Sequence, residues 1–288
     1  MFSVAIRIMA ILMVVCAVSC SGDKATATKL LEDAKLAITQ QNYHQAVALL
    51  DSIDKAYSTQ VDVRRQAMNV RPQAIEGMTL REIEKADSAL AVWQAEYVNL
   101  KPLFQTISDA RLVEPYMVAK NADKSILEKT GVQARLTPNG DFYVISSLNG
   151  KPIKHTSVGF VADGQSVSTS AVAYDGDRNY RTNGSEIITF VDSECDTLGV
   201  FACNHDHSPI TLVFKGNKSH SVKLSAKEVK AFADTYRYSQ SIKGIRTTMR
   251  RKEFLDQQLN CLLQLSHQPQ KAHFSIQLEN RKLLYQLH

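Results

Sequence analysis

The chain has 288 residues, enough for one large domain or two modest ones. Hydrophobic residues make up 44% and charged residues 22%, the balance of a folded protein, which excludes a wholly disordered chain. The formal net charge of +5 is modest and largely dispersed, so nucleic acid is not expected as a partner.

Residues 1–20 have the three parts of an export signal. Arg7 supplies a positive start, Ile8 to Val15 an apolar stretch, and the small residues Ala17 and Ser19 stand before Cys20. The apolar stretch is short against the roughly 20 residues that a membrane-spanning helix needs. Ala17-Val18-Ser19-Cys20 resembles the lipobox of bacterial lipoproteins, with Ala17 where leucine is commonest. The resemblance implies that residues 1–20 are a lipoprotein signal peptide and that Cys20 is lipidated. It also implies a lipid anchor in the cell envelope, and Ser21 after the cysteine implies the outer membrane. Two or three acyl chains hold such an anchor stably, at about 0.8 kcal/mol per buried methylene. Cys16 is a poorer acceptor because bulky Val15 precedes it. The alternative is an ordinary cleaved signal with a chance cysteine at its end.

Residues 21–130 read as a helical region. Leu30, Leu31, Ala34, Ala37 and Ile38 recur at steps of three and four and define one apolar helix face. The polar turn Gln40-Gln41-Asn42 follows. A second helix then carries Tyr43, Ala46, Val47, Leu49, Leu50, Ile53 and Tyr57, and so short a link requires an antiparallel hairpin. Asn42, Tyr43, Ala46 and Leu50, with Ala34 ahead of them, resemble one tetratricopeptide (TPR) repeat. About three such repeats are needed to bury a continuous solenoid core, so a single hairpin must pack on its neighbours. Pro72 and Gly77 argue against one uninterrupted helix from Val61 to Leu100. A separate helix is expected from Leu80, capped by Thr79, with Ile83, Ala86, Leu90, Trp93, Tyr97 and Leu100 on one face.

Residues 131–224 alternate strand-like runs with turn signals and suggest a small antiparallel β domain. Pro138-Asn139-Gly140 and Leu148-Asn149-Gly150 mark turns. Candidate strands are Asp141–Ser147, Ser157–Ala162, Glu186–Val191, Leu198–Cys203, Ile210–Lys215 and Ser219–Leu224, and Tyr174–Gly184 reads as a long exposed loop. Cys195 and Cys203 form the local cysteine pair and a candidate disulfide across a hairpin. Cys195, Cys203, His205 and His207 are the candidate metal ligands, because thiolate and imidazole suit zinc. A solvated polar turn accounts for the same residues, and no CxxC pair or HExxH helix supports the metal.

Ser225-Ala226-Lys227-Glu228 fits a capping box at the start of a long helix over 225–266. Its apolar seam runs from Val229 to Leu262 and is interrupted by Ser239 and Lys252, and Gly244 is a weak point. Arg246, Arg250, Arg251 and Lys252 make a basic face, which is either solvated or turned to anionic lipid or glycan. Residues 267–288 form a tail that could fold as a β-hairpin. The expected fold class is therefore α+β: an N-terminal helical hairpin, long antiparallel helices in a coiled-coil-like pair, and a small antiparallel β domain inserted between them.

With Cys20-Ser21, the Tyr43–Tyr57 helix and the Ser225–Leu259 helix, the chain resembles a type of envelope lipoprotein seen in Bacteroidota. That resemblance implies no particular activity. The expected function is a membrane-anchored binding or scaffolding protein without catalysis, and its partners would be the membrane through Cys20 and an envelope protein or glycan. No cofactor is expected. The alternative is a metal-assisted hydrolase using Cys203, His205 and His207; phosphate-loop, nucleophile-elbow and kinase signatures are all missing from the sequence.

Overall fold

Alanine spacing accounts for the first elements. In the computed structural model, which describes residues 22–108, 114–123, 125–150 and 152–267, residues 22–39 form helix α1. Helix α2 (Tyr43–Ala56) follows after a turn in which Gln41 takes a left-handed backbone, φ 58°. Ala27, Leu31, Ala34, Ala37 and Ile38 of α1 meet Ala46, Leu50 and Ile53 of α2 in one core, completed by Val63, Ala67 and Ala74 of helix α3 (Val61–Leu100). The alanines let the helix backbones approach closely, and the long side chains fill what remains. The expected hairpin is present.

Helix α3 corrects an expectation, because it runs unbroken through Pro72, Gly77 and Thr79. Pro72 lies on the exposed face, where water can satisfy the carbonyl that loses its N–H partner. Gly77 serves packing: a Cβ there would stand 2.2 Å from the ring of Tyr43. Thr79 caps nothing, and its hydroxyl donates to Ile75 O at 2.8 Å within the helix. The local signals that end isolated helices are overruled here by packing: Val63, Ala67 and Ala74 sit in the core with α1 and α2, and Gly77 lies against Tyr43.

The chain divides into two compact units, Met1–Asp87 with Arg250–His288 and Ser88–Met249, so the division falls inside α3 and the last helix. The second unit holds two antiparallel sheets. One has the order β1 (Phe104–Ile107), β2 (Tyr116–Ala119), β3 (Gly131–Leu136), β4 (Phe142–Asn149), β8 (Ser185–Val191), β7 (Asn179–Thr182). The other has the order β10 (Ser219–Lys223), β9 (Thr211–Lys215), β5 (Ser157–Ala162), β6 (Gln165–Ser168). Strand structure thus begins at Phe104, ahead of the boundary expected at Gly131, and β7 lies inside the stretch expected to be an exposed loop. Leu198–Cys203, expected as a strand, is helix α4 (Asp196–Asn204). Its buried Leu198, Gly199, Phe201 and Ala202 have helical spacing, which a short continuous apolar run conceals.

The core of this unit joins Phe142, Phe160, Phe190 and Phe214 from the two sheets to Phe232 of helix α5 (Ala226–His267). The Phe160 and Phe232 rings meet edge to face at 5.0 Å. The α5 start is the capping box read from sequence: Glu228 N–H donates to Ser225 Oγ at 3.3 Å, and Ser225 N–H donates back to the Glu228 carboxylate at 2.7 Å. Within the second unit Tyr97 of α3 packs on Tyr238 of α5 at 5.5 Å, and Trp93 covers Gly244, so these segments run antiparallel. Gly244 is no stop; a Cβ there would lie 2.5 Å from the indole. Ser239 is fully buried and donates to Gly140 O at 2.7 Å, so the polar break in the seam ties α5 to the β3–β4 turn. Among the described residues no helix is long and apolar enough to cross a membrane. Residues 1–20, expected to be a signal peptide ending at Cys20, and the tail from residue 268 lie outside the described residues.

A buried serine–histidine–glutamate relay

None of the motifs anticipated from the sequence forms the most chemically suggestive cluster in the fold. Strand β4 turns Phe142, Val144, Ser146 and Leu148 toward the core, and β8 does the same with Glu186, Ile188 and Phe190. In the β4–β8 ladder Ser146 faces Ile188 and Leu148 faces Glu186, which makes Ser146 and Glu186 diagonal neighbours on one face. Between β4 and β5 the segment 152–156 crosses from one sheet to the other and delivers His155 to the same spot. Ser146 Oγ lies 2.9 Å from His155 Nε2, and His155 Nδ1 lies 3.3 Å from Glu186 Oε2. His155 and Ser146 are 0% exposed and Glu186 is 1% exposed.

The crossing segment explains why a carboxylate is buried here. Lys154 adopts a left-handed backbone, φ 52°, which turns three successive N–H groups toward one point. Those of Ile153, Lys154 and His155 donate to Glu186 at 3.2, 2.9 and 3.4 Å, and the Tyr174 hydroxyl adds a fourth bond at 3.3 Å. Gly216 presses on this segment from the β9–β10 turn, where a Cβ would come within 2.5 Å of Ile153 O. The Phe214 ring meets the imidazole edge to face at 5.3 Å.

Electrostatics set the protons. Burial alone would raise the Glu186 carboxyl, but the bonds from His155 and from the Lys154, Ile153 and His155 N–H groups together outweigh it, and its pKa falls below the ordinary value. Burial pushes the His155 imidazole down, more than the bond and charge of Glu186 pull it up. At neutral pH the carboxylate is therefore charged and the imidazole neutral. A carboxylate only accepts, so Nδ1 carries the proton, Nε2 presents its lone pair, and Ser146 donates its hydroxyl to it. This is the bonding order of a nucleophile, base and orienting acid. The relay nonetheless has no exposed member, and the Glu186 oxygens are occupied by the backbone of the crossing segment. Its chemistry is that of a fully satisfied buried polar network.

The residues singled out in the sequence do not come together. Cys195 is buried at the N-cap of α4, its thiol bonded to Phe190 O and Asp192 O at 3.5 Å and pushed up to about 12, first by burial and then by Asp196, Glu194 and Asp192. Cys203 lies near the other end of α4, half-buried, with Sγ 3.5 Å from Ala233 O and its pKa raised by burial. Eight residues of helical rise separate the two by about 12 Å, beyond disulfide reach, and both are free thiols. His205 stacks on Phe201 at 4.0 Å and donates from Nδ1 to Phe201 O at 2.9 Å. The His207 side chain is 98% exposed beside Asp206, which is itself held by Arg237 at 2.6 Å. Among the described residues no group of three or more His, Cys, Asp or Glu side chains could hold a metal ion, so the candidate zinc set is not assembled.

Sequence reasoning missed the relay because its members stand 9 and 31 residues apart on unrelated elements. One signal was present: a serine on the apolar face of a strand and a glutamate opening an apolar strand each need a buried partner. In comparisons with known proteins, no family model matches the chain, and neither does any curated protein or any solved structure.

Proposed function

We propose that the chain works as an envelope lipoprotein, anchored through Cys20, whose folded part binds or scaffolds another envelope protein or a glycan without catalysing a reaction. The observation that carries this reading is the state of the Ser146–His155–Glu186 relay. The three residues are sealed at 0 to 1% exposure, and the carboxylate is engaged by three backbone N–H groups of the crossing segment. A serine nucleophile needs substrate at its oxygen and donors placed for the developing oxyanion. Ser146 instead faces a neighbouring sheet in the core, so the relay acts as a clamp that fixes segment 152–156 between two sheets.

A serine-directed fluorophosphonate and in-cell cross-linking test this. The native protein should stay unlabelled by the probe, while cross-linking should recover one partner in near-stoichiometric amount, with recovery reduced in Cys20→Ala. Stable labelling at Ser146, abolished in Ser146→Ala, would replace the binding reading with a hydrolase. Radiolabelled fatty acid should enter the native chain and be missing from Cys20→Ala; incorporation in both would remove the anchor.

A further inference from the structure

In the first unit the cations that face α2 are paired. Arg64 reaches Asp54 at 3.3 Å, and Arg71 reaches Asp51 at 2.5 Å and Asp54 at 2.7 Å. One position beyond Arg64 the pattern changes. Arg65 of α3, Lys24 of α1 and Asp62 at the start of α3 line a groove of about 360 Å³ whose floor includes the buried Leu31 and Val63. The three charged side chains are exposed, and among the described residues none of them forms an ion pair, although opposite charges share the groove. Thr28 on the same wall donates back along its own helix to Lys24 O at 2.8 Å.

Two unpaired cations and one unpaired carboxylate around an apolar floor complement a zwitterion with a phosphate and an ammonium. We propose that this groove seats the phosphoethanolamine headgroup of a membrane phospholipid, with the phosphate between Lys24 and Arg65 and the ammonium against Asp62. The proposal rests on the anchored reading, which puts Cys20 in the same bilayer. Lys24 is four residues from Cys20, and four extended residues span at most about 14 Å. The polar zone of one leaflet is some 5–7 Å deep, so a tether of that reach lets the groove meet the headgroups. An anionic headgroup without an amine would leave Asp62 facing negative charge, and the quaternary ammonium of choline has no N–H to give that carboxylate.

The test uses full-length lipidated protein in phosphatidylcholine vesicles doped with a phospholipid carrying a diazirine at the start of one acyl chain. The doped lipid is phosphatidylethanolamine, phosphatidylglycerol or phosphatidylcholine in separate samples. After irradiation the ethanolamine lipid should mark peptides containing residues 24–31 and 62–66 most strongly. Lys24→Glu/Arg65→Glu should lower that yield about tenfold, as expected for two weak surface charge contacts acting together. Asp62→Asn should erase the preference for ethanolamine over glycerol. Lys24→Gln/Arg65→Gln guards against misfolding and should reproduce the loss with an unchanged thermal midpoint. Equal yields for the three lipids, a preference for phosphatidylglycerol, or marking unaffected by the charge changes would each overturn the proposal. Loss of fatty-acid labelling at Cys20 would instead overturn the anchored reading, so the two failures are distinct.

Discussion

The two units bury different chemistry. The first has a core of alanine, leucine, isoleucine and valine, and its ion pairs, such as Arg71 with Asp51 and Asp54, lie partly in solvent. The second encloses Ser146, His155, Glu186, Asn179 and Ser239 within a phenylalanine-rich core. An aliphatic helix core tolerates changes at its charged rim, because water replaces what a surface pair loses. A buried polar network has no such reserve: removing one member strands its partners in a low dielectric. The second unit should therefore be the one that fails first to polar substitution and to acid.

The largest effect should come from Glu186→Leu, which leaves three N–H groups, the Tyr174 hydroxyl and an imidazole without their acceptor. We expect a loss of about 3–5 kcal/mol in the second unit by chemical denaturation, with little change in the exchange protection of α1 and α2. Equal loss in both units would break the comparison.

Acid should act in the same direction. The folded His155 has a pKa below its ordinary 6.5, so as pH falls below that value the unfolded chain takes up the proton first and stability declines. Glu186 is held below 4.5, so the stability it contributes is present above about 4.5 and is lost as pH falls through its folded value. Asp123, held near 2 by Lys129 and Ser125, adds a smaller loss between its ordinary 3.8 and about 2. The urea midpoint of the second unit should thus fall from pH 7 toward pH 4 and further below. Glu186→Gln should flatten the part below 4.5, and an unchanged slope would count against the relay.

Intermediate effects should come from three helical glycines that receive aromatic rings: Gly77 under Tyr43, Gly199 under Tyr236 and Gly244 under Trp93. Gly199→Ala introduces a Cβ 2.1 Å from the Tyr236 ring. Overpacking costs about 1–3 kcal/mol, offset by about 1 kcal/mol of helix propensity. Tyr236→Ala with Gly199→Ala should then be less harmful than the sum of the single changes, and strict additivity would refute the contact. The smallest effect belongs to the rim of the first unit. Arg71→Gln should lower its stability by at most about 1 kcal/mol and should matter less at high salt.

Much of the helical part was legible beforehand. The faces of α1 and α2 follow from three- and four-residue apolar steps, and the Ser225–Glu228 box marks the α5 start because both of its bonds form within four residues. Strands β4, β5, β8, β9 and β10 lie near their expected places, where alternation and Asn-Gly turns coincide. Strands β1, β2, β6 and β7 were missed because they are only four residues long, β3 was missed although Val132, Ala134 and Leu136 alternate with Gln133 and Arg135, and α4 was misread because nine residues are too few to separate a helix from a strand by period.

By itself, then, the sequence determined the elements whose bonds and apolar steps close locally, together with the α+β class that their order implies. Tertiary structure decided what depends on residues far apart in the chain. Packing carried α3 through Pro72 and Gly77, converted Ser239 from a flaw in the seam into a tie to Gly140 O, and separated the cysteines and histidines that spacing had grouped. It also joined Ser146, His155 and Glu186, since the partner of a buried polar group is chosen by the folding of other segments around it.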